Sequence, residues 1–157
     1  MADLIYNIVE QSLRGGIDGT WITARAVAGG RAGSKSPGVV EYLRANNPYA
    51  THVKKTSSVA GGPLPVSTYT LRTHELRSNW IRLVPVDTAA MRGRTGFAIH
   101  GRGRRGSDGC IVPSDFAVVQ LLYKLVKARE DAGKPAPTLS VVAIGDTERF
   151  DRLNRTV

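Results

Sequence analysis

Residues 97–111 read FAIHGRGRRGSDGCI, and how this stretch folds decides the architecture of the chain. It carries the only cysteine, Cys110, ten positions after His100. GRGRRG matches GxGxxG through Gly101, Gly103 and Gly106, which raises the prospect of a nucleotide-binding α/β fold. A dinucleotide fingerprint must open a helix at once, so that the amides of its first turn meet pyrophosphate. Here SDGCIVP intervenes, and Pro113 keeps the backbone from turning helical before about Ser114. The phosphate reading fails its own context.

Two readings are left. A lone cysteine often serves as a small buried hydrophobe, and a lone histidine is usually satisfied or solvated. The combination points further. Alternation in FAIH puts Phe97 and Ile99 on one face and Ala98 and His100 on the other. The glycines then let the backbone turn as a cationic hairpin and bring Cys110 back beside His100, with Gly109 leaving the flank of the thiol open. An unperturbed thiol, with pKa near ~8.5, is only a few per cent thiolate at neutral pH. A neighbouring imidazole can take its proton, and Arg102, Arg104 and Arg105 favour the anion. The backbone N–H groups of Gly109 and Cys110 are candidate oxyanion donors, each worth on the order of 3 kcal/mol in such sites. This chemistry is acyl transfer through a thioester, with Cys110 as nucleophile and His100 as base.

Working outward, TWITARAV (20–27), VSTYTLR (66–72), NWIRLVPV (79–86) and LSVVAIG (139–145) read as strands. In the third, Ile81 and Leu83 face one way while Trp80, Arg82 and Val84 face the other. Ser36 and Pro37 open a short predicted helix that Pro48 stops. The strongest helix follows the cysteine, DFAVVQLLYKLVKARED (115–131). Its expected buried stripe is Val118, Leu121, Leu122 and Leu125, and Gly133 and Pro135 end it. Trp21 and Trp80 are expected in or near the core, with a wall-binding groove as the alternative for either, and His52 and His74 at the surface or in structural roles. The sum is α+β and mainly β, with a mostly antiparallel sheet and one main helix, in a single domain over residues 1–157.

Composition limits the function. The chain has 157 residues and a formal net charge of +9, which suits an acidic partner such as nucleic acid, an anionic surface or cell-wall carboxylates. Aromatics make up 6% and none interleaves with the glycine-loop arginines, which weighs against a nucleic-acid module. One cysteine excludes an intrachain disulfide, and the three histidines show no metal-ligand spacing, so no metal and no cofactor are expected. No stretch is long enough to span a membrane. MADLIYNIVEQSL lacks the basic leader of a Sec signal, so export by another route is expected if the protein works outside the cytosol.

The HG pair followed by SxGCI resembles the active-site signature of the L,D-transpeptidases. The short interval in IHGRGRRGSDGCI is most similar to the type VI secretion L,D-transpeptidase effectors, toxins that act on peptidoglycan stems. GGPLPVSTYTL (61–71) and RLVPVDTAAMRGRTGF (82–97) fit the segments that precede the histidine, so the resemblance covers about residues 60 to 125. It implies a mixed or antiparallel β-sandwich with its main helix after the cysteine. It also implies L,D-carboxypeptidase or L,D-transpeptidase activity on tetrapeptide stems, including D-amino-acid exchange, through Cys110 and His100. Ser107 and Asp108 would shape the loop, Gly109 would supply the oxyanion site, and Arg102, Arg104 or Arg105 would meet the substrate carboxylate. Asp108 stands where the general motif has histidine, and Val112 where it has arginine. A carrier on the secretion apparatus and a cognate immunity protein are the partners such a toxin implies, with action in the periplasm of a target cell. The rival readings are a basic nucleic-acid module and a non-catalytic peptidoglycan binder.

Overall fold

The computed structural model describes residues 2–30, 46–51, 62–101, 109–148 and 150–151. In chain order the strands are β1 (Leu4–Asn7), β2 (Ser12–Ile17), β3 (Thr20–Ala28), β4 (Thr68–Thr73), β5 (Ile81–Pro85), β6 (Ala98–Ile99), β7 (Ile111–Pro113) and β8 (Thr138–Val142). The helix α1 spans Phe116–Asp131, between β7 and β8. The predicted strands at 20–27, 66–72, 79–86 and 139–145 are all present with shifted ends. The short helix expected after Ser36 falls outside the described residues.

The sheet closes on itself as a barrel, in the order β1-β2-β3-β7-β6-β5-β4-β8. This overturns the expected sandwich, which would leave open sheet edges. Closure comes from β1 running parallel to β8, with Leu4 opposite Leu139 and Tyr6 opposite Val141. The Asp3 carboxylate clasps the same seam, accepting from the Thr138 amide at 2.9 Å, while the Asp3 amide donates to the Thr138 hydroxyl at 3.2 Å. Pairing is otherwise antiparallel except between β6 and β7.

Period-two alternation fills the interior. Leu4, Tyr6, Leu13, Ile22, Tyr69, Leu71, Ile81, Leu83, Ile99, Ile111, Leu139 and Val141 are all buried. Eight strands leave an interior that side chains can fill, so the barrel is a core and not a channel. At β2 the approach to β1 is so close that a Cβ on Gly15 would stand 2.1 Å from the Asp3 carbonyl oxygen. Buried Asn46 plugs the polar gap between β1 and β3. Its amide donates to the Tyr6 hydroxyl and the Ile8 carbonyl, and its oxygen accepts from the Ala28 amide.

Asp115 caps α1, accepting from the Ala117 amide at 2.9 Å, and Gly133 follows its end at positive φ. The buried stripe is Val119, Leu122 and Val126, whereas Leu121 is 37% exposed. Of the expected stripe, Leu122 is fully buried, Val118 and Leu125 are partly buried against the core, and only Leu121 turns outward. Residues 116–119, 121–123 and 125–126 are almost all apolar, so periodicity offers several faces, and docking against β4, β5 and β7 selects one. Glu130 ties the helix to β4, accepting from the Thr73 amide at 2.7 Å and its hydroxyl at 2.6 Å. Trp21 is 70% exposed rather than packed in the core, because it occupies the outward register beside inward Ile22.

Candidate active site around Cys110 and His100

The site is built where β5, β6 and β7 lie side by side. β5 and β6 are antiparallel, with Ile81 opposite Ile99 and Arg82 opposite Ala98. β6 and β7 are parallel, with Ile99 opposite Ile111. β6 and β7 are therefore not the two arms of the expected hairpin, since hairpin arms run antiparallel; the connection between them lies outside the described residues. His100 directly follows β6 and Cys110 directly precedes β7, so the two flank the paired Ile99 and Ile111. Ile99 and Ile111 both point into the barrel, so His100 and Cys110, one residue after the first and one before the second, point the other way. Diagonal neighbours of this kind have Cα atoms about 8 Å apart, from strand spacings of about 4.8 Å and rises of about 3.3 Å per residue.

His100 is held at several points. Its amide donates to the Ile111 carbonyl at 3.1 Å. Its Nδ1 lies 2.9 Å from the Gly101 carbonyl oxygen. A carbonyl can only accept, so Nδ1 carries the proton and Nε2 is the basic nitrogen of the neutral ring. Burial holds the His100 pKa below the ordinary histidine value; the Gly101 hydrogen bond pulls it upward, and the Arg77 guanidinium again downward. Gly101 packs closely on the start of α1, since a Cβ there would stand 2.4 Å from the Phe116 ring, which would have to move.

Cys110 is 8% exposed, and its Sγ lies 3.7 Å from the Gly96 carbonyl oxygen. The expected open flank at Gly109 is not there. Gly109 has φ +122°, and a Cβ on it would meet Arg94 Nη2 and the Phe97 ring, each at 2.7 Å. Its carbonyl accepts from the Leu64 amide at 3.2 Å, which seats the 62–65 segment against the cysteine turn. Gly96 also lines a cavity of ≈ 410 Å³ along β5, together with Val84, Pro85, Met91, Arg94 and Phe97. Ser107, Asp108, Arg102, Arg104 and Arg105 lie outside the described residues, as does His52. Among the described residues, no cluster of three or more His, Cys, Asp or Glu side chains could hold a metal ion. No helix among them is long and apolar enough to cross a membrane.

Two further residues border this site, Arg94, to which the sequence reading gave no role, and half-buried Trp80, expected in or near the core. Arg94 is buried, and its guanidinium donates to the carbonyls of Thr51, Pro63 (2.6 Å) and Gly62 (2.9 Å) while lying 5.1 Å from the Phe97 ring centroid. It sets a permanent positive charge beside Gly109. The other is Trp80, whose indole stacks on His100 with centroids 4.1 Å apart and planes 11° from parallel. Its place follows from the strand pairing: extending the β5–β6 register by one residue sets Trp80 directly across from His100. No local pattern announces Arg94, because its partners are backbone carbonyls distant in sequence. His74 is a structural residue, as expected, its Nδ1 accepting from the amides of Leu76 and Arg77. No family model, curated protein or solved structure matches the chain, so a functional reading rests on this geometry and on the motif.

Proposed function

We propose that the chain is a cysteine enzyme of acyl transfer that acts on peptidoglycan stem peptides as an L,D-carboxypeptidase or L,D-transpeptidase. The observation that carries the reading is the fixed His100 tautomer. Nδ1–H is committed to Gly101, and Nε2 is left as the base on the face that Cys110 shares. The low pKa favours the neutral imidazole that a base requires at pH 7.

In this scheme Nε2 takes the thiol proton as Sγ attacks the amide carbonyl before the terminal D-alanine. The S–C bond forms, the C–N bond breaks, and the imidazolium returns its proton to the departing amine. Water then hydrolyses the thioester, or a second amine displaces the sulfur, giving trimming or exchange from one intermediate. The buried Arg94 guanidinium, close beside Gly109, would offer positive charge to the oxyanion. The motif resemblance supplies the substrate class and the role of an antibacterial effector delivered into a target cell's periplasm.

The test is to incubate purified muropeptides with the wild type and with Cys110→Ala and to analyse them by mass spectrometry. The expected result is loss or exchange of the terminal D-alanine with the wild type alone. If the wild type leaves muropeptides intact, the enzyme reading is wrong. Equal activity of the alanine variant would overturn the site.

A further inference from the structure

The β4–β5 hairpin stacks an aromatic ring on His100 and places a cation over that ring. We propose that Trp80 is a positioning residue for His100, its indole clamping the plane of the imidazole so that Nε2 is aimed at the thiol, with the Arg77 guanidinium completing the clamp. The inference rests on the acyl-transfer reading above.

One hydrogen bond fixes one atom of a ring and lets the rest swing about it. The Gly101 carbonyl fixes Nδ1; the stack at 4.1 Å fixes the plane. Together they leave Nε2 a single direction. A clamp must itself be held, and Trp80 is. The His74 amide donates to the Trp80 carbonyl at 3.0 Å, and the His74 ring meets the indole edge-on at 6.0 Å. Arg82 and Glu75 close the same hairpin with an ion pair at 2.7 Å. Because His74 Nδ1 accepts two backbone amides, its neutral ring carries the proton on Nε2. The 3.5 Å contact from Arg82 to that nitrogen therefore joins two donors, and Glu75 is what holds Arg82.

Charge completes the argument. The face of an indole attracts a cation, so a bare stack would favour imidazolium. Arg77 already lies over this indole, 4.5 Å from the ring centroid. A second cation on His100 would meet it. Among the described residues, the groups shown against His100 are Trp80 and Arg77 from the hairpin and the carbonyl of Gly101, a residue that packs on Phe116 of α1; Cys110 lies just before β7, the strand paired with β6. His74 and the Glu75–Arg82 pair stand behind Trp80. Of these, Arg77 is the cation that bears on His100.

Two measurements on the full chain test the clamp. The first follows the His100 ring by NMR against pH, assigned by its absence in His100→Gln. Arg77→Gln removes the repulsion and uncovers the indole, so the titration midpoint is expected to rise. An unchanged or lowered midpoint overturns the role of Arg77. The second follows alkylation of Cys110 by iodoacetamide across pH in Trp80→Phe, which keeps a stacking ring, and Trp80→Leu, which keeps apolar bulk without a plane. A misplacement of about 1 Å in a reacting group costs on the order of 100-fold, so Trp80→Leu is expected to slow the neutral-pH reaction at least about tenfold, with Trp80→Phe within about threefold of wild type. A Leu variant as fast as wild type, or a Phe variant as slow as the Leu variant, overturns the clamp. If Trp80→Leu does not fold, the Phe variant and the Arg77→Gln titration decide: a slow Phe variant or an unmoved midpoint overturns it. A wild type inert toward muropeptides but showing both effects defeats the enzyme reading and leaves the clamp standing. An active wild type showing neither defeats only the clamp.

Discussion

Replacing Arg94 by methionine should cost the protein about 3–4 kcal/mol, and the structure says where that loss comes from. The guanidinium bonds three carbonyls, those of Thr51, Gly62 and Pro63, in a place almost closed to water. Hydrogen bonds to a charged donor are worth about 1.5–3 kcal/mol each, for a gross sum of about 4.5–9 kcal/mol. Removing the charge also releases its desolvation penalty, which offsets part of that sum; breaking a buried charged cluster by truncation typically costs about 3–5 kcal/mol. Methionine refills some of the volume, which places the expectation near the lower end. With a urea m-value of about 2 kcal/mol/M for a chain of this size, the unfolding midpoint should drop by about 1.5–2 M. Far-UV circular dichroism in a urea titration reads this directly. Arg94→Lys should fall between the two, since an ammonium cannot span the carbonyls that a planar fork reaches. A methionine variant within about 0.5 M of wild type at unchanged m would refute the claim that Arg94 fastens residues 51 and 62–63 beside the cysteine turn, because a shift that small is below about 1 kcal/mol.

Gly15→Ala tests the barrel seam. A Cβ at 2.1 Å from the Asp3 carbonyl oxygen, on a backbone at φ +145°, forces β1 and β2 apart, so a loss of at least about 2 kcal/mol and a lower Tm are expected. A Tm equal to wild type would mean that the closure is not as tight as described. His100 should also make stability depend on pH. Its folded pKa lies below its unfolded value of about 6.5, so the folded state binds fewer protons, and the stabilisation is present above that value and lost as pH falls through the folded pKa. The urea midpoint of wild type should therefore fall more between pH 7.5 and pH 5 than that of His100→Gln. Equal falls would show that the half-buried ring titrates as it does in the unfolded chain.

The strands that alternate cleanly were legible. Ile81 and Leu83 point inward and Arg82 outward in β5 as the pattern requires, and the helix after the cysteine lies within one residue of its expected start. What was not legible is closure. LIYN at residues 4–7 is short and was not recognised as a strand, and its partner β8 lies some 135 positions away. A local pattern states which residues face inward; it does not state which strand lies next door. Sandwich and barrel share that inward pattern, and the parallel β1–β8 pairing alone separates them. The same gap produced the hairpin expectation at 101–109. Glycines and arginines mark a turn, but the direction of the strand beyond it is set by β3, which pairs antiparallel with β7 along Ala26–Ala28.

The candidate site divides along the same line. Cys110 and His100 were visible because their chemistry is rare in the chain, and residue type alone draws attention to them. Trp80 and Arg94 act through a ring face and through carbonyl oxygens, which any sequence can present. Their roles exist only once strand register and chain crossings are fixed. Gly109 shows how far this reaches. As a glycine beside a cysteine it suggested room for a substrate; in the barrel its α-carbon is pressed against Arg94 and Phe97, and any side chain there would displace the guanidinium that fastens the turn. The glycine therefore serves to bring a buried cation close to the thiol's backbone. In the proposed acyl transfer this would be a different contribution from access: positive charge placed before the anion forms, where no reorganisation is needed to meet it.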